Sequence, residues 1–168
     1  MNRAGFTVTE LLMATGIFSM VSAGTVSVML VCNWSWHRAD VDMRSMNEAN
    51  LVLEKIVYGV GGTNGIRSAV QTNVTVVTGT NGQWTLDYSS WDRIAYRVSY
   101  IPSNQLIAYT NVTSGGRQIP LATHVVSSTA TNITNSATPG IMVMVRVGVH
   151  DGRFSSTNEA STFVHYRN

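Results

Sequence analysis

Residues 11–31 read LLMATGIFSMVSAGTVSVMLV, a stretch of 21 residues without a charged side chain. As an α-helix that rises about 1.5 Å per residue, it spans roughly 31 Å, which matches the hydrocarbon thickness of about 30 Å of a bilayer. Glu10 precedes the stretch, and Arg38 is the next charged residue after it. The sequence therefore predicts a helix that crosses a membrane or lies in the core of a helical bundle.

Glu10 places a carboxylate at the very start of this apolar stretch, where a charge is costly unless an opposite charge neutralises it. Cleavage of the chain after Gly5 would create a new ammonium group on Phe6, one helical turn from Glu10. In a bundle of such helices, Glu10 of one chain would neutralise Phe6 of a neighbour. We expect this pair to set the stagger between neighbouring helices.

The first twelve residues carry a family resemblance. A short leader with Arg3 and Gly5, followed by Phe6-Thr-Val-Thr-Glu10-Leu-Leu and a long apolar helix, resembles the class III signal of type IV prepilins and type II secretion pseudopilins. The resemblance implies cleavage between Gly5 and Phe6 by a prepilin peptidase, N-methylation of Phe6 and a role for Glu10 in assembly. Residues 1–5 would then be the leader peptide, and residues 6–32 the transmembrane and filament-core helix.

Two other interpretations of the N-terminal segment remain open. Val21-Ser22-Ala23 before Gly24 also fits the small-residue cleavage site of an ordinary secretory signal. Against this, Glu10 would interrupt the start of the apolar region, which also continues well past Ala23. A plain membrane anchor is the other alternative, and it leaves Gly5 and Glu10 without a role.

Residues 33–58 predict an amphipathic continuation of the same helix. Apolar side chains recur there at spacings of three and four residues, with charged side chains between them. The predicted apolar stripe is Met46, Ala49, Leu53, Ile56 and Val60, and glycines at positions 59, 61, 62 and 65 predict the helix end. We expect this stripe to pack on the domain that follows, so that residues 33–168 form one globular domain.

The remainder of the chain has β character. Residues 94–100 and 141–149 place apolar side chains at every second position, and Asp151-Gly152 predicts a tight turn after the second stretch. Shorter strands are predicted at 72–78, 84–88, 105–110 and 162–166, and a loop rich in Thr, Ser and Asn at 127–140. The predicted fold class is α+β, a long N-terminal hydrophobic α-helix packed on an antiparallel β-sheet domain, which resembles the pilin fold.

Composition and motifs give little support to catalysis or to cofactor binding. The net charge is only +2 and no basic run occurs, so no nucleic acid is predicted as a partner. Cys32 is the only cysteine, and the four histidines are scattered without ligand spacing, so no metal site and no cofactor are predicted. The glycine-rich segment 59–65 closes a helix, whereas a phosphate-binding loop opens one. We predict that the chain is not an enzyme.

The resemblance extends to function and partners. Strands around residues 93–110, the run 119–126 and the ending Phe163-Val-His-Tyr-Arg167-Asn168 are similar to the PilW-like and J-type minor pilins. This implies a minor pseudopilin that assembles through its N-terminal helix into a type II secretion pseudopilus. Its implied partners are other pilins or pseudopilins, the prepilin peptidase and an inner-membrane assembly platform. The implied location is the bacterial inner membrane, as a single-pass protein, before assembly and a periplasmic or cell-surface filament afterwards.

Two alternative functions stay open at this point. One is a minor type IV pilin for pilus initiation, adhesion or DNA uptake, which a surface cluster of Arg67, Arg93, Arg97 and Arg117 would favour. The other, from a different class, is a secreted or membrane-anchored soluble β domain. Cleavage of the chain after Ala23 would identify that alternative.

Overall fold

The computed structural model describes residues 7–60, 64–69, 73–90, 93–134 and 138–166. The chain divides into two compact units between Asp40 and Val41. A single helix, α1 (Val8–Tyr58), supplies nearly all described residues of the first unit and the start of the second. The second unit contains antiparallel β-sheets on which the helix packs, so the predicted α+β fold is confirmed. The predicted boundary after Cys32 marks the end of the apolar stretch, whereas the division after Asp40 separates residues by the contacts that they make.

The two ends of α1 are set by local chemistry. Thr7 precedes the first helical residue, and its side chain accepts a hydrogen bond from the backbone N–H of Glu10 at 3.4 Å. At the other end, Gly59 has a left-handed backbone (φ 88°), and its N–H donates to the carbonyl oxygen of Lys55 at 2.9 Å. Glycine adopts this conformation without the steric cost of a Cβ, which makes it a common helix stop. The predicted stop is confirmed at Gly59, while residues 61 and 62 lie outside the described residues.

Within the second unit, α1 buries one face against the sheets. The buried residues are Val41, Ser45, Ala49, Val52, Leu53 and Ile56. The prediction was right for Ala49, Leu53 and Ile56 but wrong for Met46, which is 60% exposed, and for Val60. Ser45 occupies the core-facing position because it makes a polar contact with a strand, and Met46 lies about 100° further round the helix. Val60 lies beyond the helix end.

Within the described residues, eight strands form two antiparallel sheets. The first has the order β1-β2-β3-β4-β5. Its strands are β1 (Val74–Thr78), β2 (Trp84–Ser89), β3 (Ala95–Ile101), β4 (Leu106–Asn111) and β5 (Ile119–Ala122). The second has the order β6-β7-β8, with β6 (Val125–Ile133), β7 (Gly140–Asp151) and β8 (Phe154–His165). Short 3-10 helices occur at Ile66–Ser68 and Pro102–Asn104.

Both sheets and the second part of α1 share one apolar core. The alternation predicted for residues 94–100 and 141–149 is confirmed. Every second side chain is buried from Tyr96 to Tyr100 in β3 and from Ile141 to Val147 in β7, and Ile94 and Val149 are partly buried against the same core. Aromatic rings of the first sheet pack together, with centroids 5.7 Å apart for Tyr88 and Tyr96 and 5.4 Å apart for Tyr96 and Tyr109. The turn at Asp151-Gly152 is also confirmed, and it leads from β7 directly into β8.

The loop predicted at 127–140 is wrong over most of its length, because β6 covers Val125–Ile133 and pairs with β7. Its core-facing side is small and partly polar, which hides the strand from a hydrophobicity pattern. Ser128 is buried and donates a hydrogen bond to the carbonyl oxygen of Met144 at 2.8 Å. The strand predicted at 162–166 is likewise too short, since β8 begins at Phe154 with Ser156 and Asn158 on its inner side.

Candidate functional site

The first unit is an apolar helical surface that no other described part of the chain covers. From Thr7 to Asp40 every residue is exposed except Ser22, which is half-buried. Large apolar side chains that are more than half exposed include Leu11, Leu12, Met13, Ile17, Phe18, Met20, Val21, Val28, Met29 and Val31. An apolar surface of this extent marks contact with a membrane or with other protein chains. By length and composition, α1 can cross a membrane.

Four of the five hydroxyl groups within this apolar stretch are bonded inside the helix. Thr15 and Thr25 donate to the carbonyl oxygens of Leu11 and Val21, at 3.0 and 2.9 Å. Ser19 and Ser27 donate to the carbonyls of Gly16 and Ala23, both at 2.8 Å. A hydroxyl bonded in this way needs no water, so these residues can enter an apolar environment at little cost. The surface is therefore more apolar than its composition indicates.

Glu10 forms a reciprocal cap with Thr7 at the start of α1. The backbone N–H and the hydroxyl of Thr7 both donate to Oε2 of Glu10, each at 2.9 Å. The hydroxyl oxygen of Thr7 in turn accepts a hydrogen bond from the N–H of Glu10. This is the capping box, in which a Thr and a Glu three residues later satisfy otherwise unpaired N–H groups of the first turn. Glu10 therefore has a local role in addition to any contact with a second chain.

The predicted processing residues cannot be placed, because Gly5 and Phe6 lie outside the described residues. Of the predicted site, the structure describes only Glu10. The role of Thr7 was missed at the level of sequence, although the spacing Thr7-x-x-Glu10 directly before an apolar run is the capping-box signature. Trp34 and Trp36 follow the apolar stretch and are 60% and 76% exposed, a position that suits interfacial anchors.

A polar cluster, formed by Asp42, Ser45, Ser156 and Asn158, joins α1 to β8 within the second unit. The amide nitrogen of Asn158 donates to Oδ1 of Asp42 at 2.8 Å and to Oγ of Ser45 at 2.6 Å. The hydroxyl of Ser156 donates to the same Asp42 oxygen at 2.6 Å. Because Ser45 is fully buried, these bonds fix which turn of the helix contacts β8. No sequence signal joins residues more than one hundred positions apart, so the cluster could not have been predicted.

Other polar candidates are engaged in separate local contacts. Arg97 donates two hydrogen bonds to the carboxylate of Asp87, at 2.6 and 2.9 Å. Arg67 lies over the ring of Tyr58 and donates to its hydroxyl at 3.2 Å, so the two arginines have different partners. His124 lies 3.8 Å from the Glu48 carboxylate. Over the part of the chain that the structure describes, no group of three His, Cys, Asp or Glu side chains could hold a metal ion.

Comparison with protein-family models, curated proteins and solved structures finds no match to this chain. The exposed apolar helix, the capped Glu10 and the folded β domain are therefore the features that bear on function.

Proposed function

We propose that the chain is a pilin-like structural subunit that assembles through the apolar part of α1 into a type II secretion pseudopilus, as a minor pseudopilin. The observation that carries the proposal is the exposed apolar surface of residues 8–31, none of which belongs to the core of the folded domain. Every described residue of that core lies between Val41 and Tyr166. The apolar surface is thus available for contacts outside the folded domain.

Two environments would cover this surface in turn, the membrane before assembly and the bundle of helices afterwards. Lipid chains are as apolar as leucine, so transfer from membrane to bundle gains little from the hydrophobic effect. The preference of the helix for the bundle over the membrane must therefore come from close packing between helices and from polar pairing. Gly16, Ser19, Ala23 and Ser27 follow spacings of three and four residues and lie on one face of α1. Small residues in that arrangement let helix backbones approach closely.

Glu10 would supply the polar pairing. Its Oε2 already accepts two hydrogen bonds from Thr7, which lowers the cost of burying the carboxylate in a bundle. Hydrogen bonds leave the negative charge in place, and the ammonium group of a processed Phe6 in a neighbouring chain would neutralise it. A buried ion pair has little net worth for stability, but breaking one is costly, which makes it suited to fixing a register.

The experiment is a mass measurement on protein extracted from membranes. The proposal expects a mature chain that begins at Phe6 and carries one methyl group on its amine. Gly5→Val should leave the leader attached, because a bulky side chain would replace the small one at the cleavage site. A mature chain that begins at Gly24 would instead identify a secreted soluble β domain.

The second candidate within the same class is a minor type IV pilin for pilus initiation, adhesion or DNA uptake. It would share the processing, the helix bundle and the role of Glu10. Recovery of the chain from sheared surface pili, compared with its recovery in a strain that lacks the secretion machinery, separates the two assignments.

A further inference from the structure

The chain contains two Asn-Gly pairs, and both follow a threonine, in Thr63-Asn64-Gly65 and in Thr80-Asn81-Gly82. Asparagine is among the thermally labile residues of proteins. It is most reactive before glycine, because the backbone nitrogen of the next residue can attack its side-chain amide carbon. Glycine has no side chain to obstruct that approach, and its backbone rotates freely. Since the two pairs are alike in local sequence, a difference in their reactivity comes mainly from the fold.

Asn81 and Gly82 lie in the open turn between β1 and β2. Every residue from Val77 to Gln83 is exposed. The base of the turn is closed by the N–H of Gly79, which donates to the carbonyl oxygen of Gln83 at 2.7 Å. Among the described residues, none forms a hydrogen bond with the Asn81 side chain. Apart from the adjoining residues, no heavy atom lies within 4 Å of the position that a Cβ on Gly82 would take, so both reacting groups have room to reorient.

The pair Asn64-Gly65, in contrast, is held on both sides. The hydroxyl of Tyr88, which is 2% exposed, donates to the backbone oxygen of Asn64 at 2.7 Å. The N–H and the hydroxyl of Ser68 both donate to the backbone oxygen of Gly65, at 3.0 and 2.7 Å. Gly65 is buried, and a Cβ there would collide with the backbone of Val57. The rotation that brings the glycine nitrogen to the asparagine side chain requires these contacts to open.

We propose that Asn81 is a site of spontaneous deamidation in the folded chain, and that the fold protects Asn64 from the same reaction. The nitrogen of Gly82 bonds to the amide carbon of Asn81, and the amide nitrogen leaves as ammonia with the proton that Gly82 loses. The product is a cyclic succinimide. Water opens this ring at either carbonyl, to give aspartate or isoaspartate, in which the main chain runs through the side-chain carbon. The net reaction consumes water and releases ammonia, without oxidation or reduction.

Deamidation at Asn81 would create a charge variant of the folded chain. Either isomer adds a carboxylate, which lowers the net charge of +2 by one unit. Isoaspartate also lengthens the main chain, at a turn that has no part in the apolar core. Hydrolysis of the ring does not restore the amide, so the converted fraction rises with the age of the folded protein. This inference does not depend on the proposed function.

Peptide mapping after incubation of the full chain in detergent tests the proposal. Trypsin cleavage after Lys55, Arg67 and Arg93 places the two asparagines in separate peptides, and mass spectrometry measures the replacement of each amide by a carboxyl. In the folded chain, Asn81 should convert faster than Asn64 by about tenfold or more, because the hydrogen bonds at Asn64 must break first. In urea the two rates should become similar. Equal rates in the folded chain, or a difference that persists unchanged in urea, would overturn the proposal.

Two further measurements test the protection and the route. Tyr88→Phe removes the donor to Asn64, so it should speed conversion at Asn64 by about two- to tenfold and leave the rate at Asn81 unchanged. An unchanged rate at Asn64 would show that this bond does not protect it. Isoaspartate at position 81, detected by enzymatic methylation of its carboxyl, identifies the ring, because direct hydrolysis of the amide gives aspartate alone. Aspartate without isoaspartate would contradict attack by Gly82.

Discussion

Asn158 offers the sharpest test of how α1 is held on the β domain. Its side-chain nitrogen donates to Oδ1 and to the backbone oxygen of Asp42, at 2.8 and 3.0 Å, and to Oγ of Ser45 at 2.6 Å. Asn158→Asp keeps the shape of the side chain but replaces this nitrogen by an oxygen. The substitution removes the donor from all three contacts, and it places a second carboxylate next to that of Asp42.

The expected loss of unfolding free energy in Asn158→Asp has two contributions. Loss of hydrogen bonds to a charged partner costs about 1.5–3 kcal/mol. Two like charges about 3 Å apart repel by about 1.4 kcal/mol in bulk water and by about 5.5 kcal/mol at an effective dielectric constant of about 20. Asp42 is exposed, so the lower figure applies, and we expect a total of about 3–4 kcal/mol. Asn158→Ala loses the same hydrogen bonds without the repulsion and should cost about 1.5–3 kcal/mol.

Urea unfolding of a chain that begins at Val41, followed by the fluorescence of the buried Trp84, measures both values. Thr157→Asp adds the same charge on the exposed face of β8, and it should change the free energy of unfolding by less than about 0.5 kcal/mol. The new carboxyl at position 158 would have a raised pKa beside Asp42, so its excess cost should disappear as the pH falls below that pKa. If Asn158→Asp costs no more than Asn158→Ala, the polar cluster does not hold α1 on β8.

Two further predictions concern the core. Ile56→Ala should destabilise the domain by about 2–4 kcal/mol, because Ile56 is fully buried. Its control is Met46→Ala on the exposed face of α1, which should cost less than about 0.5 kcal/mol in the same urea experiment. Burial, together with Tyr109 and Tyr96, raises the pKa of Tyr88, and burial also raises the pKa of Tyr100 and Tyr166. Unfolded tyrosines ionise near pH 10, so stability should be complete below that pH and fall above it. Tyr88→Phe should reduce this alkaline loss, measured as the urea midpoint against pH.

The fold could be predicted where side-chain pattern and burial agree. Three features follow from the local sequence, and the structure confirms them. They are the helix over the apolar stretch 11–31, the glycine stop after Tyr58, and the alternation in β3 and β7. The prediction missed strand β6 and made strand β8 too short, because the core-facing positions of these strands include Ser128, Ser156 and Asn158. Ser128 is buried and the other two are half-buried, and hydrogen bonds to distant residues satisfy all three polar groups.

The candidate site divides in a similar way. Glu10 stands out because it is a charge beside an apolar run, and its partner Thr7 could be found from the capping-box spacing alone. The helix-to-strand cluster depends on contacts between positions 42–45 and 156–158, which no local pattern encodes. The same limit explains the error at Met46, since the buried Ser45 is held by a hydrogen bond from Asn158 of β8, in addition to its bond to the Asp42 carbonyl within the helix.

In the proposed function, Glu10 acts through its charge when the chain joins a filament. Glu10→Gln separates charge from capping, because glutamine at this position also completes a capping box. Breaking a buried charge pair costs about 3–5 kcal/mol, which corresponds to a loss of incorporation by about two to three and a half orders of magnitude. The measurement is the amount of Glu10→Gln chain in sheared filaments relative to the membrane pool, beside the unsubstituted chain. The account predicts an unchanged membrane pool and a filament fraction reduced by that factor, whereas equal incorporation of the Gln variant would contradict it.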